Sequence, residues 1–164
     1  MTLRDRLERA LVRGHENDLD HLLYNERDHI DDLKILRDAA VLIAVTDRPE
    51  PGVIFVQRPQ HMRNHPGQVA FPGGKIDPGD RDPIDAALRE AHEEVALDRS
   101  HVDIIGMTDS FQSGSGYNIQ PVLGVIPPDL PFVADPTEVE SWFEAPLDFL
   151  LDPKKPQSPR GNME

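Results

Sequence analysis

With 164 residues the chain is long enough for one domain with a real core and short for two. Its 30 acidic against 17 basic side chains leave a formal charge of −13, which repels a polyphosphate backbone and speaks against bulk nucleic-acid binding. The lack of cysteine excludes disulfides, thiolate catalysis and cysteine-ligated zinc.

A hydrophobic share of 38% with 16 prolines points to many fixed turns and a mixed α/β layout rather than a helical bundle. The opening stretch "MTLRDRLERALVRGHENDLD" has early charges and no apolar h-region, so neither a secretory signal nor a transit peptide is expected. No apolar run reaches membrane-spanning length, and a soluble cytoplasmic protein with no membrane association is the expectation.

Leu3, Leu7, Ala10 and Leu11 recur at helical spacing, with Gly14 as a stop, and predict an amphipathic N-terminal helix. The charged stretch 15–38 has interrupted apolar support for a second helix. "AAVLIAVT" (39–46) and "GVIFVQ" (52–57) are short β-branched runs split by "DRPEPG", and they read as adjacent buried strands. After a polar loop over 58–68, "VAF" returns to strand and Pro72, Gly73 and Gly74 turn the chain.

Asp82 is placed to cap a helix that begins at Pro83, with Asp85 in its first turn near the positive end of the dipole. Further strands are predicted at 102–108 and 119–126, then a proline-rich loop over 127–136, and "EVESWF" leading into a short helix at 147–151. The tail "DPKKPQSPRGNME" has no apolar pattern and is expected to be disordered. The predicted organisation is a helical segment over 1–35, an α/β domain over 36–151 and a polar tail over 152–164.

The chemistry concentrates in two neighbouring stretches. Along the helix from Pro83, Ile84, Ala87, Leu88, Ala91 and Val95 form the packing stripe, while Glu90, Glu93 and Glu94 fall within an arc of roughly 100° elsewhere. Like charges at that spacing oppose the helix by about 0.2–0.5 kcal/mol a pair when exposed. Oxygen ligands on one rigid face suit Mg²⁺ or Mn²⁺, which turns the repulsion into attraction. Arg89 can hold a carboxylate in place by charge-assisted hydrogen bonds, and Gly73 and Gly74 allow close backbone approach. His92 reads as a surface histidine.

Residues 51–76 contain no Asp or Glu but include Arg58, His61, Arg63, His65 and Lys75. In so acidic a chain this segregation reads either as charge balance for neighbouring surface or as an anion site in which Arg58 and Arg63 grip phosphate oxygens. Next to the acidic helix, it makes one site with a cation half and an anion half. An EF-hand reading of "DPGDRD" fails, because its sixth and twelfth positions from Asp77 are Asp82 and Leu88.

"GGKIDPGDRDPIDAALREAHEEVAL" resembles the Nudix box, GX5EX7REUXEEXGU with U aliphatic. Arg89, Glu90, Glu93 and Glu94 fall on its second half. Asp80 stands at the first acidic position, Arg89 comes one residue late, and Ala96 replaces the box glycine. The stretch "RPQHMRNHPGQVAFPGG" is similar to the signature of the coenzyme A diphosphatase (CoA pyrophosphatase) subfamily, LLTXR(S/A)X3RX3GX3FPGG, with Arg58, Arg63, Gly67, Phe71, Pro72, Gly73 and Gly74 in register. Pro59 and "IFV" (54–56) depart from it.

The resemblance implies an α/β/α sandwich with a mixed sheet that hydrolyses coenzyme A or acyl-CoA at its diphosphate. It further implies metal ligation by Glu90, Glu93 and Glu94, catalytic roles for Glu93, Glu94 and Arg89, and substrate binding by Arg58, Arg63, Gly67, Phe71, Gly73 and Gly74. Glu138 is an alternative base, with a solvated surface glutamate the simpler expectation; Tyr117 and Phe111 are candidates for the base or pantetheine pocket, with core packing the simpler expectation for Phe111. The N-terminal segment either packs on the domain or supports a homodimer. Two rival functions are a diphosphatase for another nucleoside diphosphate derivative and a silent Nudix-like binding module.

Overall fold

The apolar run after residue 38 forms β1 (Arg37–Thr46), the strand around which the others are arranged. In this computed structural model the described residues are 1–16, 36–63, 65–152 and 154. In chain order they form α1 (Leu3–Glu16), β1, β2 (Gly52–Gln57), β3 (Val69–Ala70), β4 (Gly73–Lys75) and α2 (Pro83–Val95). A 3-10 turn (Arg99–His101), β5 (Asp103–Met107), β6 (Phe111–Gln112), β7 (Tyr117–Ile126), β8 (Ser141–Pro146) and α3 (Leu147–Leu151) follow.

β1 runs parallel to β7 from Arg37↔Tyr117 to Thr46↔Ile126. A parallel pair needs a crossover, and the intervening chain supplies it with α2. The other edge of β1 is shared: Ala39 to Val41 pair antiparallel with β4, and Val45 pairs antiparallel with Val53 of β2. Between the two, the Leu42 amide donates to the Pro72 carbonyl at 2.8 Å. β2 is held antiparallel along its whole length by β8 and at its end by β3, while β5 and β6 pair antiparallel with β7. The result is a mixed sheet with flanking helices.

Alternation along the strands sorts the two faces of the sheet. Ala40, Leu42 and Ala44 of β1, Ile54 and Val56 of β2, and Val122 and Ile126 of β7 join Ala87, Leu88, Ala91 and Val95 of α2 in the main core. The alanines of α2 have no accessible surface, so the helix axis lies close to the sheet. The loop after β7 closes the edge of this core with Val139 and a T-shaped contact between Phe132 and Trp142, centroids 4.8 Å apart.

α1 packs on β5. Leu11 lies over Gly106, where a Cβ would stand 2.7 Å from its methyl carbon, and Arg4 pairs with Asp103. β5 shifts register between Ile104 and Gly106, a bulge beside that contact. Buried Thr46 and Gly52 join the β1–β2 turn to β8: Gly52 donates to Thr46 Oγ1 at 2.9 Å, and Arg48 bonds both Glu144 (3.0 Å) and Asp129 (2.7 Å).

Some expectations need correction. α1 continues through Gly14 to Glu16, because a glycine with open space around it weakens a helix without ending it. Ala10 is exposed rather than part of the packed stripe. The glycines read as a turn form β4, since a bare backbone can lie against β1 where side chains cannot. Phe111 is 37% exposed on β6 rather than packed in the core. The helix predicted over 15–38 lies mostly outside the described residues; Arg37 and Asp38 at its end belong to β1. The predicted disordered tail lies outside them except for residues 152 and 154.

Candidate active site

α2 starts where the sequence marks it. Asp82 caps it in extended conformation, its Oδ1 accepting from the Asp85 amide at 2.8 Å, and Pro83 takes the first position. The helix ends at Ala96, which sits in the left-handed region (φ 59°, ψ 32°) and donates to the His92 carbonyl at 3.0 Å. This is the position at which the Nudix box carries glycine, and here a Cβ is tolerated at a cost.

The three glutamates do not all face the same way. Glu90 and Glu94 point at β4, where Gly74 leaves room for the Glu90 carboxyl and the Gly73 amide donates to Glu94 Oε1 at 3.4 Å. Glu93 is half-exposed and accepts from Arg89 Nη1 at 3.3 Å. Among the described residues no three His, Asp or Glu side chains stand close enough to hold a metal ion as placed.

Glu94 is nevertheless an unusual carboxylate. It is 7% exposed, and its Oε2 is buried without any hydrogen-bond partner. Burial first, and the charge of Glu90 second, push it up to about 8; the Gly73 amide and Arg58 act in the opposite direction. Glu90 is also raised by burial, against the pull of Arg89. A buried carboxylate with an orphaned oxygen and a half-buried one beside it form a donor set that a hard divalent cation satisfies better than a proton does. The residues present therefore fit a hard divalent cation, which Glu90 and Glu94 would hold as the nearest pair, with Glu93 one helical step away.

Arg89 organises this cluster from the side. Its guanidinium holds Asp80 with two bonds (Nε to Oδ1 2.9 Å, Nη2 to Oδ2 3.0 Å), donates to the Lys75 carbonyl at 3.1 Å and to Glu90 Oε1 at 3.0 Å. Asp80 is thereby kept below the usual carboxylate range, and its side chain is nearly inaccessible. Asp80 thus serves Arg89, and Asp77 pairs with the same arginine at 3.4 Å. The extra residue between Asp80 and Arg89 is absorbed in the loop before the helix.

The loop after β7 delivers Glu138. Its backbone caps the end of α2, Val133 donating to the Val95 carbonyl (3.0 Å) and Asp135 to that of Glu94 (2.9 Å). Asp135 then turns the chain through Thr137, and buried Val139 anchors the far side. Glu138 lies between these anchors, close enough for its charge to raise both Glu90 and Glu94. No short motif in the sequence announces this; the signal is Val139, an isolated apolar residue that pins its neighbour.

The cationic loop begins and ends at one point: Arg58 donates to the Gln68 carbonyl (2.9 Å) and Gly67 to that of Arg58 (3.1 Å). Gly67 has φ 67°, and a Cβ there would stand 2.3 Å from the amide end of the flexible Gln60 side chain, so the backbone conformation favours glycine. Arg58 lies within electrostatic reach of Glu94, whereas Arg63, His61 and His65 are exposed farther out. Phe71 stacks on Phe55, away from α2. Tyr117 and Phe111 belong to the β6–β7 strands.

The NUDIX domain model matches residues 36–161. The chain belongs to the Nudix family. It is 53% identical over 111 residues to "Uncharacterized Nudix hydrolase NudL" of Escherichia coli K12, an alignment that covers 68% of this chain and 58% of that protein. The protein of that name from Shigella boydii matches to the same extent. The chain thus spans 58% of the length of the curated relatives it matches.

Among solved structures, the fold is shared with a Nudix hydrolase from M. smegmatis, RenU (TM-score 0.58, 19% identity, 71% of this chain and 80% of that one). It is also shared with a C. elegans Ap4A hydrolase binary complex (TM-score 0.57, 19% identity, 67% and 80%). The Nudix domain of Shewanella oneidensis NrtR, complexed with ADP ribose, aligns with a TM-score of 0.55 at 18% identity over 78% and 85%. The α/β Nudix sandwich is therefore established for this chain, and no described helix is long and apolar enough to cross a membrane.

Proposed function

We propose that the protein hydrolyses the diphosphate of coenzyme A or acyl-CoA, giving adenosine 3′,5′-bisphosphate and 4′-phosphopantetheine or its acyl form, with Mg²⁺ or Mn²⁺ held by Glu90, Glu93 and Glu94. The observation that carries the reading is buried Glu94, with its orphaned oxygen, between the glycines of β4 and Arg58. The diphosphatase signature from Arg58 to Gly74 supplies the substrate class.

Bound at these carboxylates, the cation supplies Lewis-acid neutralisation of the diphosphate oxygens. Arg58 and Arg63 bind the anion; Gly67 shapes their loop, and Gly73 and Gly74 let the diphosphate approach the backbone. Phe71 closes the apolar side. Arg89 is a positioning residue that fixes Glu90 through its own bonds to Asp80 and Lys75. Water attacks phosphorus, the bridging P–O bond breaks, and one proton leaves the attacking oxygen for a carboxylate. Glu93 and Glu138 are the two candidates for that carboxylate, and Tyr117 and exposed Phe111 are candidates for contact with the pantetheine arm.

The test is incubation with coenzyme A and Mg²⁺ or Mn²⁺, with and without chelator, reading products by mass. Metal-dependent release of adenosine 3′,5′-bisphosphate is expected. Release of a different mononucleotide from a substrate panel, with coenzyme A intact, moves the protein to another nucleoside diphosphate derivative. Binding without turnover leaves the silent module.

A further inference from the structure

β8 is an edge strand: among the described residues its ladder is with β2 alone, from Gly52↔Pro146 to Gln57↔Ser141. The alternation along β2 fixes which way the backbone groups of β8 turn. The Gly52 and Arg58 amides donate to Thr46 and Gln68 on the far side of β2, so Val53, Phe55 and Gln57 face β8. Their partners Ala145, Phe143 and Ser141 face back, and the Leu147 amide continues the series to the Pro51 carbonyl at 2.8 Å. Trp142 and Glu144 therefore turn their N–H and C=O groups outward, toward no described strand.

This open stretch is bounded at both ends. Pro146 has no N–H to offer. At the other end the Glu140 amide turns inward to the Gln57 carbonyl at 2.8 Å, a bulge opposite the residue that also pairs with Ser141. Proline and a bulge are common means of blunting an edge, and here they leave two residues between them able to pair. On the sheet face away from α2, Phe143 in the middle of the stretch is 39% exposed and ends a ring stack that runs through Phe55 (centroids 5.5 Å) to Phe71 (4.9 Å).

We propose that this edge is a self-association surface: β8 pairs antiparallel with β8 of a second copy about a two-fold axis at Phe143. Trp142 then lies opposite the partner's Glu144, and each such pair exchanges N–H and C=O in both directions. Phe143 meets its own counterpart as the non-hydrogen-bonded pair between them, where side chains stand closest, so the ring stack runs on into the second copy.

Charge selects this register over its neighbours. With the axis at Glu144, two carboxylates face each other; with the axis at Trp142, Glu144 stands opposite the partner's Glu140. Centred on Phe143, neither clash arises, and Arg48 already pairs with Glu144 at 3.0 Å within its own chain. Both copies use the same patch, so the contact closes at two. A formal charge of −13 on each chain opposes approach, and so short an edge makes the dimer weak, concentration-dependent and favoured by salt. The pairing uses nothing of the carboxylate site and stands apart from the coenzyme A reading.

Because the chain has no cysteine, an introduced thiol reports the axis. In Phe143→Cys the two thiols belong to a non-hydrogen-bonded pair, whose Cα separation of about 4.5 Å suits a disulfide. In Ala145→Cys they stand four strand steps apart, about 13 Å, and cannot join. In a glutathione redox buffer the full chain with Phe143→Cys should form covalent dimer at least about tenfold faster than Ala145→Cys at equal concentration. Sedimentation equilibrium of the unaltered chain should show a monomer–dimer equilibrium that tightens with salt. Phe143→Lys should weaken it about tenfold, with circular dichroism checking that the variant is folded.

An unaltered chain that stays monomeric at all concentrations and salt levels overturns the proposal, and so does growth beyond the dimer. Equal cross-linking of Phe143→Cys and Ala145→Cys overturns it, because the interface then lies elsewhere, as does folded Phe143→Lys that associates like the unaltered chain. If Phe143→Lys does not fold, the two cysteine variants decide. A monomer whose Trp142 and Glu144 amides resist hydrogen exchange gives the edge to another segment of the same chain, and the proposal falls.

Discussion

A Cβ built on Gly74 would stand 2.8 Å from the carboxyl carbon of Glu90, while one built on Gly73 would meet the Ala40 carbonyl oxygen at 2.3 Å. Adjacent glycines thus answer to different neighbours. Gly74→Ala displaces the end of a flexible side chain, so stability should change little while turnover falls about a hundredfold, the scale of a 1 Å misplacement. Gly73→Ala collides with backbone and should cost about 1–3 kcal/mol by overpacking. Urea melts and steady-state assays of the two variants separate these outcomes.

Glu94 makes stability depend on pH in an uncommon direction for a carboxylate. Its folded pKa is raised to about 8, so the folded state holds a proton that the unfolded chain releases from about pH 4.5 upward. The stabilising contribution is complete below that pH and is lost as pH rises through about 8. Without divalent cations, the melting temperature should fall across this window; Glu94→Gln should flatten the fall, and saturating Mn²⁺ should restore stability at the alkaline end. Glu94→Gln should also abolish turnover. Melting curves in buffered chelator check the first two outcomes.

Asp80 is nine residues from Arg89 in the chain and clamps it through two bonds. Asp80→Asn removes the charge that sets the guanidinium, and Glu90 loses its fixed partner. The expected loss is about 10–100-fold in activity or Mn²⁺ affinity, the range for residues that orient metal ligands. Kinetics as a function of Mn²⁺ concentration read this directly.

Ala96 closes α2 in the left-handed region. Relief of Cβ strain favours Gly there, and the greater freedom of Gly in the unfolded chain offsets part of the gain. Ala96→Gly should stabilise by about 0.5–1 kcal/mol with activity unchanged, measured by denaturant unfolding.

The elements whose determinants are local were legible in the sequence. The cap at Asp82, Pro83 at the first helical position and the apolar runs at 39–46 and 52–57 all correspond to observed boundaries within about two residues. What the sequence did not reveal depends on partners far along the chain. Gly73 and Gly74 carry turn chemistry but become a strand because β1 accepts them at Ala39 to Val41. Helical stepping places three glutamates on one arc, yet Arg89 draws Glu93 outward while β4 receives the other two. The Phe55–Phe143 pair exists only through β2–β8 register; Glu138 reads from the sequence as an alternative base, but what brings it to the site, a loop that caps α2, does not.

The excursion from Arg58 to Gln68 leaves and rejoins the sheet at a single pair of backbone bonds. β2 is secured independently by β8, and the glycines of β4 by β1. Among the described residues, the bonds that hold Glu90 and Glu94 come from β4 and Arg89 rather than from that loop. Descent with modification can therefore lengthen, shorten or recharge it without disturbing the carboxylate cluster, as an interchangeable cassette on a constant frame. A designer who wishes to retarget this scaffold has the same freedom, with Arg58 and Gly67 as the two joints to preserve.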